Sequence, residues 1–156
     1  SDVYKRQIID RMYKKYISEP VDLVIASPGG YPKDIDLYQS QKAVSAAAKI
    51  VKKGGKIVVL ADCSYGHGSE LFYRCVKKAT CLEEYNKKFV LGAHKAYLFA
   101  RDMLRADVYL HSSLPDSFVK EFFIKPITVD KINQIIDGSN TIAVLPYASS
   151  TNVILK

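Results

Sequence analysis

Apolar positions along the chain follow two rhythms. Over residues 3–17 they recur at helical spacing, with Ile8, Ile9, Met12, Tyr13 and Tyr16 on one stripe, until "SEP" at 18–20 ends the run. "VDLVIAS" (21–27) is instead a short unbroken apolar block, which reads as a strand buried on both faces. A Pro-Gly-Gly-Tyr-Pro turn follows. Asp34 or Asp36 then offers the N-cap of a helix whose core stripe is Leu37, Val44, Ala47, Ala48 and Val51. That helix is expected to run through "AVSAAAKIVKK" and stop at Gly54–Gly55. "KIVVLAD" (56–62) predicts a second strand and "CSYGHGS" a loop, with Ser64 or Ser69 capping a helix that holds Leu71, Phe72 and Val76. "CLEEYNKKF" continues as helix, and "AHKAYLFARDMLRA" forms another with Leu98, Ala100, Met103 and Leu104 inward and Gly92 turning the chain before it. "DVYLHSS" is a third strand, "DSFVKEFF" a short helix, and "IKPITV" an extended piece that Pro126 marks as an edge or irregular strand. "VDKINQIIDG" is a helix closed by Gly138, "TIAVLPY" the last strand, and "ASSTNVILK" a tail.

Strands alternate with helices throughout, and the strands lack polar alternation. The pattern predicts the α/β class: a three-layer, mostly parallel, Rossmann-like sheet with helices on both faces. A length of 156 residues suits a single domain over 1–156, and no repeat or linker divides it. Ligands of such sheets bind beyond the carboxyl ends of the strands. Three loops lie there: "SPGGYPK" (27–33), "CSYGHGS" (63–69) and, from 146, "PYASST". Gly29 and Gly30 allow the backbone to approach a ligand closely, and a helix start supplies N–H groups to an anion. Small polar loops also occur without any ligand, but three converging on one edge favour a cleft. Neither G-x-G-x-x-G nor G-x-x-x-x-G-K-[ST] is present, which argues against an ordinary dinucleotide or ATP site.

Composition narrows the picture further. The chain is 48% hydrophobic and 25% charged, which excludes disorder. No apolar run approaches the ~20 residues of a membrane span, and no apolar leader with a cleavage site is visible. A cytoplasmic location is the default expectation, with no membrane partner. The net charge of +7 suits an anionic ligand. The lysines, however, come as scattered doublets without the aromatic interleaving of a nucleic-acid surface, so no nucleic-acid partner is expected. Cys63, Cys75 and Cys81 lack C-x-x-C spacing and read as reduced, partly buried thiols, with no metal site.

Gln39 and Lys42 stand three residues apart, on one face of the second helix and off its core stripe. Both lie early in that helix and flank the "SPGGYP" loop. An amide and an ammonium so placed suit a carboxylate or phosphate; a solvated surface pair is the plainer alternative. His67, His94 and His111 are each candidates for acid–base work or for structural capping.

"DLVIASPGGYPKDIDLYQSQKAV", "KGGKIVVLADCSYGHGSELF", "LGAHKAYLFAR" and "VLPYASST" together resemble the C-terminal domain of the lactate racemase family. The likeness covers nearly the whole chain from Val21 onward, and "GGYPKDIDLYQSQK" is its most specific part. It implies a racemase or epimerase of 2-hydroxyacids that uses a nickel pincer nucleotide in a cleft between two domains. In that chemistry the carbinol hydrogen moves reversibly as hydride through a 2-keto acid, and histidines handle the hydroxyl proton. The resemblance assigns Gln39 and Lys42 to substrate and cofactor, as catalytic residues, with Tyr38 lining the pocket. His94 falls where lactate racemases have a tryptophan, which implies a bulkier or more polar substrate. Attachment of the cofactor, nickel coordination and the paired histidines belong to the family's N-terminal domain. The expectation is that this chain is one wall of the active site, that the N-terminal domain is its partner, and that alone it is inactive. A stand-alone module binding a small anion or nucleotide is the alternative.

Overall fold

In the computed structural model, which describes residues 2–78 and 91–156, three central strands set the architecture. They are β2 (Val21–Ala26), β3 (Val51–Leu60) and β4 (Asp107–His111). Successive strand side chains point to opposite faces of a sheet. Val24, Ala26, Ile57, Val59, Val108 and Leu110 therefore enter one core. Leu23 and Val58 enter a second, with Ile25, Leu60 and Tyr109 packed on it. Because both faces are apolar, the strands read as unbroken apolar blocks. With β5 (Lys125–Pro126) and β6 (Ile142–Leu145) at the margins, they form a five-stranded, all-parallel sheet in the order β5-β4-β3-β2-β6. Pro126 sits at the edge its missing N–H requires.

The helical layers are unequal. The larger core takes side chains from α2 (Leu37–Ala48), α3 (Glu70–Lys77), α4 (Leu91–Met103) and α5 (Asp116–Lys120). At its centre Phe72 meets Phe99 and Phe122, with ring centroids 5.7 and 6.0 Å away, and all three rings are buried. The other face is covered by α6 (Val129–Asp137), through Ile132, Ile135 and Ile136. Burying one such side chain contributes roughly 1.5–3 kcal/mol, so these two layers hold the sheet in place.

Several expectations need correction. The first helix, α1 (Asp2–Tyr13), ends before residue 17, and β1 (Lys14–Ile17) follows. The tail is not irregular: β7 (Asn152–Leu155) pairs in parallel with β1, placing Tyr16 opposite Ile154. A four-residue strand paired with the far end of the chain leaves no local period to detect. Second, α2 stops at Ala48, and Gly54–Gly55 lies inside β3, where the register against β2 shifts. Gly54 adopts φ +76°, and a Cβ on Gly55 would lie 2.8 Å from the Asp22 carbonyl oxygen. The pair serves a strand irregularity, which needs glycine as much as a helix end does. Third, Val51 is buried as expected, but from β3. Fourth, α4 turns Ala96, Phe99 and Asp102 inward, Leu104 just past its end is 74% exposed, and Gly92 lies within the helix. The expected helix over 81–89, and Cys81, lie outside the described residues.

Candidate functional site

The loops after β2 and β3 meet around the start of α2. Asp36 is its N-cap, and its carboxylate accepts the Gln39 N–H at 2.7 Å. The second loop supplies further caps: Leu37 N–H donates to the Gly66 carbonyl and Tyr38 N–H to that of His67. Ser40 N–H donates to the Asp36 carbonyl. The first-turn donors are therefore taken by the protein itself, and the helix start offers no N–H cradle to an anion. That expectation is overturned, and any recognition must come from side chains. Gly68 makes the fit possible: its φ is +74°, and a Cβ there would lie 2.2 Å from the Asp36 carboxyl carbon.

The strand order places a topological switch at β2, whose neighbours are β3 and β6. A crevice at such a point is where parallel α/β sheets take ligands. Its walls are the loops after β2 and β6. Ser27 N–H donates to the Leu145 carbonyl, and Ala148 N–H returns to the Ser27 carbonyl. Lys33 Nζ donates to Ser150 Oγ at 2.5 Å. Gly29, at φ +115°, lies against the Tyr147 ring, whereas Gly30, at φ +74°, faces open space. The tips of the three strand-end loops carry Tyr31, Tyr65 and Tyr147, which are 80%, 74% and 63% exposed.

Beside this crevice is a depression of about 480 Å³, lined by Lys42, Ser45, Lys49, His94, Lys95 and Ser149. Lys42 and His94 are exposed there, one from α2 and one from α4. Gln39 and Tyr38 are half-buried one turn earlier on α2, and Gln39 is not part of that lining. Tyr38 turns its ring to the core, edge-on to Phe72 at 5.7 Å. Among the described residues, nothing forms a hydrogen bond or ion pair with Lys42.

Lys95 was missed by the sequence reading. Its Nζ donates to the Tyr38 carbonyl at 2.8 Å and lies 3.6 Å from the centroid of the Tyr38 ring. Burial, and then the charge of Lys42, push its pKa down to about 8, with Asp36 opposing. Ser149 Oγ is buried with no hydrogen-bond partner among the described residues. No local pattern marks Lys95, because its partner is 57 residues away. The other histidines go elsewhere. His67 stacks on Tyr73, with centroids 5.0 Å apart, and His111 Nδ1 lies 2.9 Å from the Ile127 carbonyl. Cys63 is buried and Cys75 half-buried, both as free thiols. Among the described residues no group of His, Cys, Asp and Glu is arranged to hold a metal ion, and no helix is long and apolar enough to cross a membrane.

A parallel sheet with helices on both faces, and a cation-lined hollow beside its switch point, defines an α/β domain of the parallel-sheet class. Known proteins narrow that class. Residues 16–110 match the family described as the lactate racemase C-terminal domain. A lactate racemase from Thermoanaerobacterium thermosaccharolyticum is 32% identical over 118 residues, covering 70% of this chain and 28% of that protein. The lactate racemase of Lactiplantibacillus plantarum is 32% identical over 103 residues, covering 61% and 24%. The lactate racemase apoprotein structure from T. thermosaccharolyticum superposes with a TM-score of 0.84 at 28% identity, over 97% of this chain and 40% of that one. A crystal structure from Thermotoga maritima shares the fold, with a TM-score of 0.65 at 15% identity, over 98% and 42%. The chain belongs to the lactate racemase C-terminal-domain family. It spans about a quarter of the length of the curated relatives it matches.

Proposed function

We propose that this domain is one wall of the interdomain active site of a 2-hydroxyacid racemase or epimerase, with an N-terminal domain of the same enzyme as the other wall. The observation that carries the reading is Lys42: an exposed ammonium with no hydrogen-bond or ion-pair partner among the described residues, one turn along α2 from Gln39, in a hollow beside the strand-end loops. The family relation and the exposed tyrosine rim support it. Lys42 binds the substrate carboxylate, where a charge-assisted hydrogen bond fixes orientation. The Gln39 amide, which both donates and accepts, orients the hydroxyl or keto oxygen. His94 lines the hollow and tunes which side chain the substrate carries. When the second domain closes on the tyrosines, water leaves and each of these contacts strengthens.

When bound, the nickel pincer nucleotide of the family would supply a reversible hydride acceptor for the carbinol hydrogen. The residues present fit an anionic group of that kind. The hollow carries ammonium groups and the buried Ser149 hydroxyl, and Gly30 leaves open space at the loop. Lys42 and the Gly29–Gly30 loop are the groups that would touch it, and the described residues contribute no metal-ligand cluster. The test is Lys42→Ala in the intact enzyme that carries this domain. A fall in kcat/KM of about 100-fold is expected for loss of a charge-assisted contact worth ~3 kcal/mol. Unchanged turnover would remove the assigned role.

A further inference from the structure

We propose that Lys95 is a second cation of this site and that, with Lys42, it selects substrates bearing two anionic groups, a hydroxy-dicarboxylate over a hydroxy-monocarboxylate. The inference rests on the 2-hydroxyacid reading above and adds the substrate class. Its basis is placement. Tyr38 precedes Lys42 by four residues, one turn of α2. Lys95 Nζ is held on the Tyr38 carbonyl and ring, so α4 delivers an ammonium to the turn of α2 just before Lys42. Both side chains line the same hollow. No carboxylate among the described residues makes an ion pair with either. Asp36, the acidic group that Lys95 feels, is engaged by the Gln39 N–H.

Two like charges at the edge of a hollow repel, and half-burial of one raises the cost. The Tyr38 contact ties α4 to α2 but leaves the Lys95 charge without an anionic partner among the described residues. Ser149 Oγ, buried and without a partner among the described residues, adds a hydroxyl donor to the same lining. A second carboxylate would neutralise Lys95, and its binding would raise the Lys95 pKa from about 8. The charged groups acting on Lys95 are Lys42 of α2 and Asp36, the α2 N-cap, and His94 adjoins it on α4. Affinity for a dianion therefore falls as pH rises through about 8, where Lys95 loses its proton.

Calorimetry of the intact enzyme that carries this domain, with malate, lactate and succinate at pH 7 and low salt, tests this. Malate should bind about tenfold more tightly than lactate, and the preference should shrink between pH 7 and 9. Lys95→Met should bring malate down to the level of lactate, and Lys95→Arg should keep the preference at both pH values. Malate no tighter than lactate, a preference surviving in Lys95→Met, or no binding by any of the three overturns the proposal. Malate and succinate binding alike, both above lactate, would keep the two-cation site and count against the 2-hydroxyacid reading.

Discussion

Gly68 shows how much a single residue decides at this site. It stands at φ +74° against the carboxylate that caps α2, where a Cβ would lie 2.2 Å from the Asp36 carboxyl carbon. Gly68→Ala therefore meets both backbone strain and a clash, and a loss of about 2 kcal/mol or more is expected, read as a lower thermal midpoint. Gly30, with the same φ and open space around it, lacks the clash, so Gly30→Ala should cost only the backbone strain, about 1 kcal/mol. Both glycines stand out in the sequence as loop residues. Their difference is set by Asp36, on another loop, and no local spacing reports it.

The pair α2–α4 is the element that positions the cations. Gln41, Ser45 and Asp102 form a chain across it: Gln41 Nε2 donates to Ser45 Oγ at 2.6 Å, and Ser45 Oγ donates to Asp102 Oδ2 at 2.5 Å. Arg101 adds two donors to Asp102 Oδ1, at 2.9 and 2.6 Å. Asp102 and Gln41 are buried, so the network replaces water for both. Asp102→Ala should destabilise the domain by about 3 kcal/mol in urea unfolding, because Ser45 and Gln41 lose a buried partner. Asp102→Asn keeps the shape and one acceptor and should cost less. The stripe of α2 was legible because its alanines and valine recur at 3.6-residue spacing. The inward face of α4 was not, because a buried aspartate reads as surface until its partners on α2 are known.

Across the whole molecule, charge couples stability to pH at both ends. Asp22, at the start of β2, is held down to about 2, chiefly by the hydrogen bond from Lys52 and then by the Thr141 backbone N–H. Lys52 Nζ lies 2.7 Å from Asp22 Oδ1, while the N–H groups of Asn140 and Thr141 reach Oδ2 at 3.1 and 3.0 Å. The carboxylate thus ties β2 to β3 and to the chain entering β6. A pKa below the ordinary 3.8 means that this contribution is complete above about pH 4 and is lost as pH falls through about 2. Asp22→Asn should flatten the acid limb of the stability curve over that window. Cys63 works from the other side: burial pushes its thiol up from 9.0 to about 12. The unfolded chain then releases a proton first, so stability is intact below about pH 9 and declines as pH rises toward 12. Chemical denaturation of Cys63→Ala at pH 8 and 10.5 should show a smaller alkaline loss than the parent.

By itself the sequence determined the α/β class, the parallel strands and Lys42 as a cation off the core stripe, and it narrowed the caps to Asp34 or Asp36 and Ser64 or Ser69 and Pro126 to an edge or irregular strand. Each follows from local spacing or from the conformational limits of one residue type. Tertiary structure alone decided that β1 and β7 pair, that Gly54–Gly55 lies within a strand, that the start of α2 is closed to anions, and that Lys95 stands beside Lys42. These features join segments distant along the chain, and their energies arise only when burial and hydrogen bonding bring the partners together.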